Sequence, residues 1–216
     1  KKIEKISNLK LKEFQIKNLS MAIAAAKLCN LKEKKIFKTL NKIKDVNGRL
    51  ELIKIFPNNV MTYVDFAHTP DALSKSISAL KSEHNKNISL VFGCGGDRDF
   101  KKRSLMGKIA SSQCNKIFVT DDNPRNENPT KIRNEIVRNI KNKNCYNIGN
   151  RALAIKTAIL SAEPNEIILV SGKGHEEKQI YKNKIISISD KQIIKNLKSK
   201  IKKFSSKNQN FLENKN

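Results

Sequence analysis

Four short segments place charged side chains, amides and glycines where chemistry can be done: DFAHTPD (residues 65–71), GCGGDRD (93–99), TDDNPR (120–125) and SGKGHE (171–176). The three glycines of GCGG let a backbone turn sharply and bring its N–H groups close to a ligand. An ordinary tight strand-to-helix turn accounts for them as well, but the Asp97-Arg98-Asp99 that follows is costly to place without a polar partner. The segment is not a GxxxxGK[ST] phosphate loop, and it lacks the full GxGxxG spacing. TDDNPR sets two carboxylates, an amide and a guanidinium ahead of a helix, with Pro124 and Pro129 holding the loop extended. Capping that helix needs one residue, Asn126 or Asn128. Asp121, Asp122, Asn123 and Arg125 together point to ligand recognition. In SGKGHE, Gly172 and Gly174 flank Lys173, and His175 and Glu176 follow. A phosphate-loop lysine is followed by Ser or Thr, so this turn is not a triphosphate site by itself. His175 stays open between a structural and a functional role. DFAHTPD gathers Asp65, His68 and Asp71 around a turn whose Thr69-Pro70 reads as a helix start. His68 can offer its ring for stacking or a donor to phosphate. His84, in SEHNKN, reads as a solvent-loop histidine without a partner.

These segments need a scaffold, and the hydrophobic pattern supplies one. Strands are predicted at 62–67, 88–92, 116–120, 146–148 and 166–170, separated by helices from Pro70, around Leu105 and Ile109, from about Pro129, and around Ile155 and Ile159. Apolar runs alternating with helices of about 10–13 residues give an α/β fold, a mostly parallel sheet with helices on both faces. Ligands in such sheets sit beyond the carboxyl ends of the strands, which is where the four segments fall. A hairpin around Lys182-Asn183 and a last helix carrying Ile194, Leu197, Ile201 and Phe204 close the pattern, and 205–216 read as a polar, basic tail. Residues 17–28 and 31–43 read as two opening helices. Two helices cannot make a core alone, so 1–46 are expected to be the end of a domain whose body lies upstream, with 47–204 a domain of their own.

The 216 residues are 38% hydrophobic and 30% charged, as in a folded chain. No run approaches the ~18–20 apolar residues of a membrane span, and no signal segment opens the chain, so a cytoplasmic protein without a membrane partner is expected. Cys29, Cys94, Cys114 and Cys145 form no CxxC pair, which argues against a disulfide framework or a zinc site and for reduced, mostly buried thiols. No metal ligand set is read from the spacing. The net charge of +24 suggests nucleic acid, but about +9 of it lies in residues 1–46 and about +7 in 191–216. Of the 44 basic residues only seven are Arg, aromatic residues are 6%, and Trp is absent, whereas base-reading proteins lean on Arg and single-strand binders on aromatics. A nucleic-acid module is therefore the lesser reading, and a non-catalytic remnant is the other alternative.

Taken together, GRLE (48–51), YVDFAHTPDAL (63–73), VFGCGGDRDFKKRSLMGKIA (91–110), VTDDNPR (119–125) and SGKGHE (171–176) resemble the C-terminal part of the Mur ligases, in particular the members that handle diaminopimelate. The resemblance runs from about Phe14 to the last helix. It implies a Rossmann-like C-terminal domain, preceded by the end of a central ATP-binding domain, in a monomeric enzyme of peptidoglycan synthesis. It also implies ATP and magnesium as cofactors, and meso-diaminopimelate and the UDP-MurNAc-dipeptide UDP-N-acetylmuramoyl-L-alanyl-D-glutamate as substrates. By resemblance, Asn18, Arg49, Asp65 and His68 contact the nucleotide, with Arg49 near the phosphates, Asp65 near the ribose and metal shell, and His68 against the adenine; Arg49 and Asp65 are the catalytic pair. Diaminopimelate is expected to meet Arg98, Asp122, Asn123, Pro124, Arg125, Gly172 and Glu176. The phosphate loop, the family's metal-binding lysine and the UDP site are absent from the sequence, so the chain alone is expected to be inactive. One departure is visible: Gln15 stands where the family usually has the first asparagine of FNxxN, and Asn18 keeps the second.

Overall fold

A computed structural model describes residues 13–40, 42–43 and 46–198. They fall into two compact units, one ending at Val46 and the other beginning at Asn47. The first holds α1 (Glu13–Leu28) and α2 (Glu33–Leu40), whose Ile36 and Leu40 are buried while Met21 and Leu28 stay exposed. Of the thiols expected to be mostly buried, Cys94 and Cys114 are buried, Cys145 is half-buried, and Cys29, just after α1, is exposed.

In the second unit the chain runs β1 (Glu51–Phe56), a 3-10 turn, β2 (Val60–Asp65), α3 (Pro70–His84), β3 (Ile88–Phe92), α4 (Lys101–Gln113), β4 (Lys116–Val119), α5 (Pro129–Val137), β5 (Cys145–Asn147), α6 (Arg151–Leu160), β6 (Ile167–Ser171), a hairpin of β7 (Lys178–Tyr181) and β8 (Lys184–Ser187), and α7 (Asp190–Asn196). The sheet order is β1-β2-β6-β3-β4-β5, parallel throughout except for the antiparallel β1 edge. β3 and β6 are buried at every position because both their faces are covered. The crossovers carrying α3, α4 and α5 run one way along the sheet and the one carrying α6 runs back. Right-handed connections therefore put α6 on the opposite face. There Ala154, Ile155 and Ile159 of α6 and Ile194 of α7 pack on Phe56, Val64, Val91, Phe118 and Val170. Leu73, Ile77, Met106, Ala110, Ile132 and Ile136 are buried on the other side. No described helix is long and apolar enough to cross a membrane.

Several details differ from the sequence reading. β1 was not anticipated. β2 begins at Val60 and ends at Asp65, so Phe66 and Ala67 belong to the turn. His84 has a partner: it ends α3 half-buried, its Nε2 2.9 Å from the Tyr63 hydroxyl. α7 ends at Asn196, and Ile201, Phe204 and the tail 205–216 lie outside the described residues.

Candidate functional site

Because β2, β6, β3 and β4 are adjacent and parallel, the four chemistry-bearing turns meet at one end of the sheet. They are stitched sideways. Gly172 N–H donates to Asp65 O (3.0 Å), Ser171 Oγ to Ala67 O (2.7 Å), Thr120 N–H to Phe92 O (2.9 Å) and Gly96 N–H to Asn123 O (2.9 Å). The glycines of GCGG serve this contact rather than an unusual backbone angle. A Cβ on Gly93 would lie 2.2 Å from Thr120 O, and one on Gly96 would lie 1.9 Å from Pro124 O. Helix capping falls to Asn128, whose Oδ1 accepts from Thr130 and Lys131 N–H, which leaves 121–125 to other work.

Between the turns lies a cleft of about 370 Å³ in whose wall stand Arg98, Asp122, Asn123, Arg125, Gly172 and Glu176. Arg125 is half-buried and has a left-handed backbone (φ 53°) fixed by its N–H bond to Ile180 O (2.9 Å). Its Nη1 donates to Gly96 O (2.9 Å) and Asn123 O (3.3 Å), and its Nε and Nη2 have no acceptor among the described residues. Asp122 takes Asn123 N–H on Oδ1 (2.7 Å), and its Oδ2 faces Gly172, whose φ of 114° suits glycine. Burial raises the Glu176 pKa, but hydrogen bonds from Lys173 and Asn123 and the charges of Lys173 and Arg125 outweigh it and hold the carboxyl below its ordinary value. Asp121 points away from the cleft, to Arg133 and to the Tyr181 hydroxyl (2.9 Å). Cys94, also in the cleft wall, is pushed up to about 12 by burial and is no nucleophile at neutral pH.

One end of the cleft is aromatic. The Arg49 guanidinium lies 4.4 Å over the Phe66 ring, which stacks on His175 (5.5 Å, 27°) and meets His68 edge-on (4.9 Å). His68 Nδ1 is 3.0 Å from Phe66 O, an acceptor, so this nitrogen carries the proton of that bond. Asp65 sits beneath, 4% exposed, with Oδ1 accepting from Leu50 N–H (3.1 Å) and Oδ2 from Ser76 Oγ (2.5 Å). Here it anchors the Arg49 loop. Gly48 backs that loop onto the Gly174–His175 peptide, where a Cβ would lie 2.4 Å from His175 N.

Residues 48–174 match the family described as Mur ligase, glutamate ligase domain. The chain belongs to the Mur ligase family. It is 43% identical over 190 residues to a UDP-N-acetylmuramoyl-L-alanyl-D-glutamate--2,6-diaminopimelate ligase of Buchnera aphidicola subsp. Schizaphis graminum, covering 87% of this chain and 38% of that protein. A ligase of the same name from Rickettsia montanensis is 41% identical over 184 residues (84% and 38%). A solved structure of a protein of that name superposes with a TM-score of 0.65 at 32% identity, covering 86% of this chain and 38% of the other. The chain thus spans under two-fifths of the length of these relatives.

For a Mur ligase C-terminal domain, the distribution of the expected site residues is informative. Arg98, Asp122, Asn123, Arg125, Gly172 and Glu176 share one cleft, whereas Pro124 does not line it and is buried with its carbonyl against Gly96. Arg49 and His68 meet at the aromatic end, Asp65 lies under them, and Asn18 sits in α1 of the other unit. Phe66 and the buried Lys173 were not singled out as site residues, although a lysine between two glycines at a strand end marked the place. No cluster of three or more His, Cys, Asp or Glu suited to a metal occurs among the described residues, and both Asp65 oxygens are engaged. The residues described do not make a magnesium site.

Proposed function

We propose that this chain is the amino-acid-binding part of a cytoplasmic, monomeric, ATP-dependent ligase that joins meso-diaminopimelate to UDP-N-acetylmuramoyl-L-alanyl-D-glutamate in peptidoglycan synthesis. The observation that carries this reading is Arg125, held in the cleft wall by two carbonyls with Nε and Nη2 left over, opposite Asp122 and Glu176. That alternation of cation and carboxylates fits a ligand with ammonium and carboxylate groups at both ends. In the reaction ATP converts the D-glutamyl carboxylate to an acyl phosphate. The diaminopimelate amine attacks that carbonyl, and the tetrahedral intermediate expels phosphate. The part of this chain is orientation: Arg125 and Arg98 take the distal carboxylate, and Glu176 and Asp122 the distal ammonium, so that the reacting amine is aimed at the acyl phosphate. On the same reading His68 and Phe66 lie against adenine, and Arg49, whose loop Asp65 anchors, completes the nucleotide side of this unit. Residues 1–46 are then the end of the ATP-binding domain, 47–204 the C-terminal domain and 205–216 a basic tail. Limited proteolysis should cut first before about Val46 and spare 60–170; early cuts inside 60–170 would contradict that boundary.

Calorimetry on the chain tests the ligand. Meso-diaminopimelate should bind saturably and L-lysine at least about tenfold more weakly, because lysine has no second carboxylate for Arg125. The same preparation should release no phosphate from ATP, since neither glycine turn has the phosphate-loop spacing. Equal binding of lysine and diaminopimelate would sink the reading.

A further inference from the structure

Lys173, the one buried lysine among the described residues, lies outside the contacts assigned above. Its side chain is fully buried, although a lysine between two glycines at a strand end would ordinarily reach water. An ammonium has three protons and no acceptor. All three are committed here, to Asn123 Oδ1 (3.1 Å), Glu176 Oε2 (3.0 Å) and Lys178 O (2.6 Å). None remains for a phosphate or any other ligand.

We propose that Lys173 is a positioning residue for this cleft, its ammonium holding Glu176 as a carboxylate toward the ligand and fixing which way the Asn123 amide points. Asn123 Oδ1 accepts from both Lys173 and Ile180 N–H (3.0 Å), so a flipped amide would break two bonds at once. The Nδ2 therefore faces Glu176 and donates to Oε2 (3.1 Å). With Oε2 saturated by two donors, Oε1 is the oxygen left to meet a ligand ammonium. The charged groups around Glu176 are Lys173 beneath it, Arg125 and Asp122 from the loop after β4, Arg98 from the loop after β3, Arg151 of α6, His175 and Glu177 on its own turn, and Lys178 at the start of β7. Of these, Lys173 gives the strongest opposition to burial, which alone would push the carboxyl up. The ammonium-binding role of Glu176 rests on the reading in the preceding section. The action of Lys173 on Glu176 and Asn123 does not.

The test needs no ligand. In the chain labelled with 13C and 15N, the Glu176 carboxyl should titrate below the ordinary glutamate value of about 4.3, and the Lys173 ammonium should exchange with water far more slowly than exposed lysines. Lys173→Met should move the Glu176 midpoint up by about one unit or more, since burial persists while its partner is gone. An unmoved midpoint in a folded Lys173→Met chain overturns the proposal. Should that variant fail to fold, the unmodified chain decides: a Glu176 midpoint at or above the ordinary value, or a Lys173 ammonium exchanging as fast as exposed ones, overturns it equally. Diaminopimelate then separates the two readings. A chain that binds none of it sinks the function proposed above and leaves the Lys173 result standing. A chain that does bind it should bind about tenfold or more weakly as Lys173→Met.

Discussion

Arg125→Ala is expected to weaken meso-diaminopimelate binding by ten- to a hundredfold while changing adenine-nucleotide binding less than about twofold. The carboxylate that separates diaminopimelate from lysine needs a cation fixed at its far end. Arg125 offers Nε and Nη2 side by side, the geometry for two parallel bonds to one carboxylate. Charge-assisted hydrogen bonds contribute roughly 1.5–3 kcal/mol each, and about 1.4 kcal/mol is a factor of ten. Arg125→Lys should restore little, because an ammonium is a point charge that cannot reproduce the planar fork. L-lysine binding should hardly respond to either change, so the measured selectivity collapses from the diaminopimelate side. In an intact ligase the same loss would appear as a higher Michaelis constant for the amino acid. A change under about threefold would remove Arg125 from the carboxylate site.

The largest stability effect is expected at Asp190. Its carboxylate accepts from Arg151 Nε (2.8 Å) and Nη2 (2.7 Å), and both side chains are wholly buried. Burial disfavours the guanidinium, and the Asp190 charge and hydrogen bonds more than offset it, so the Arg151 pKa is raised. Asp190→Ala leaves that cation buried without its hydrogen-bonded carboxylate, a loss of roughly 3–5 kcal/mol. For a chain of this size 1 kcal/mol corresponds to about 2–4 °C, so the melting temperature should fall by about 10 °C. Replacing both partners, as Arg151→Met with Asp190→Leu, should recover most of the loss. Calorimetric melting of the two variants beside the unchanged chain checks this; a loss below about 1 kcal/mol in Asp190→Ala would mean water reaches Arg151 once Asp190 is gone.

The parallel sheet was legible because ISLVF and IILVS are too uniformly apolar to be anything but strands covered on both faces. β1 was not, because ELIKIF carries two charges and lies at the edge, where only Phe56 is buried. The strand order was also hidden: β6 inserts between β2 and β3, and that long-range choice leaves no local mark. The carboxyl-end rule nevertheless located the cleft, since it holds for any order of parallel strands. What sequence did not disclose was partnership. Arg151 and Asp190 stand 39 residues apart, Lys173 and Asn123 stand 50 apart, and an isolated Lys or Arg reads as a surface charge until its acceptor is known. Asp65 shows the converse: it was picked out by its motif, yet its two oxygens face Leu50 and Ser76 rather than the cleft.

The sideways bonds between the four turns bear on the heat and entropy of recognition. A loop that must be ordered by its ligand subtracts that ordering from the affinity. Here Asn123, Arg125 and Glu176 are already fixed by bonds running from turn to turn, so a ligand immobilises little beyond itself and the exposed Arg98 side chain. A fixed frame also cannot rearrange around the wrong amino acid. Its discrimination then comes from refusing misplaced charge, and it should persist with fragments of the right ligand that bind only weakly.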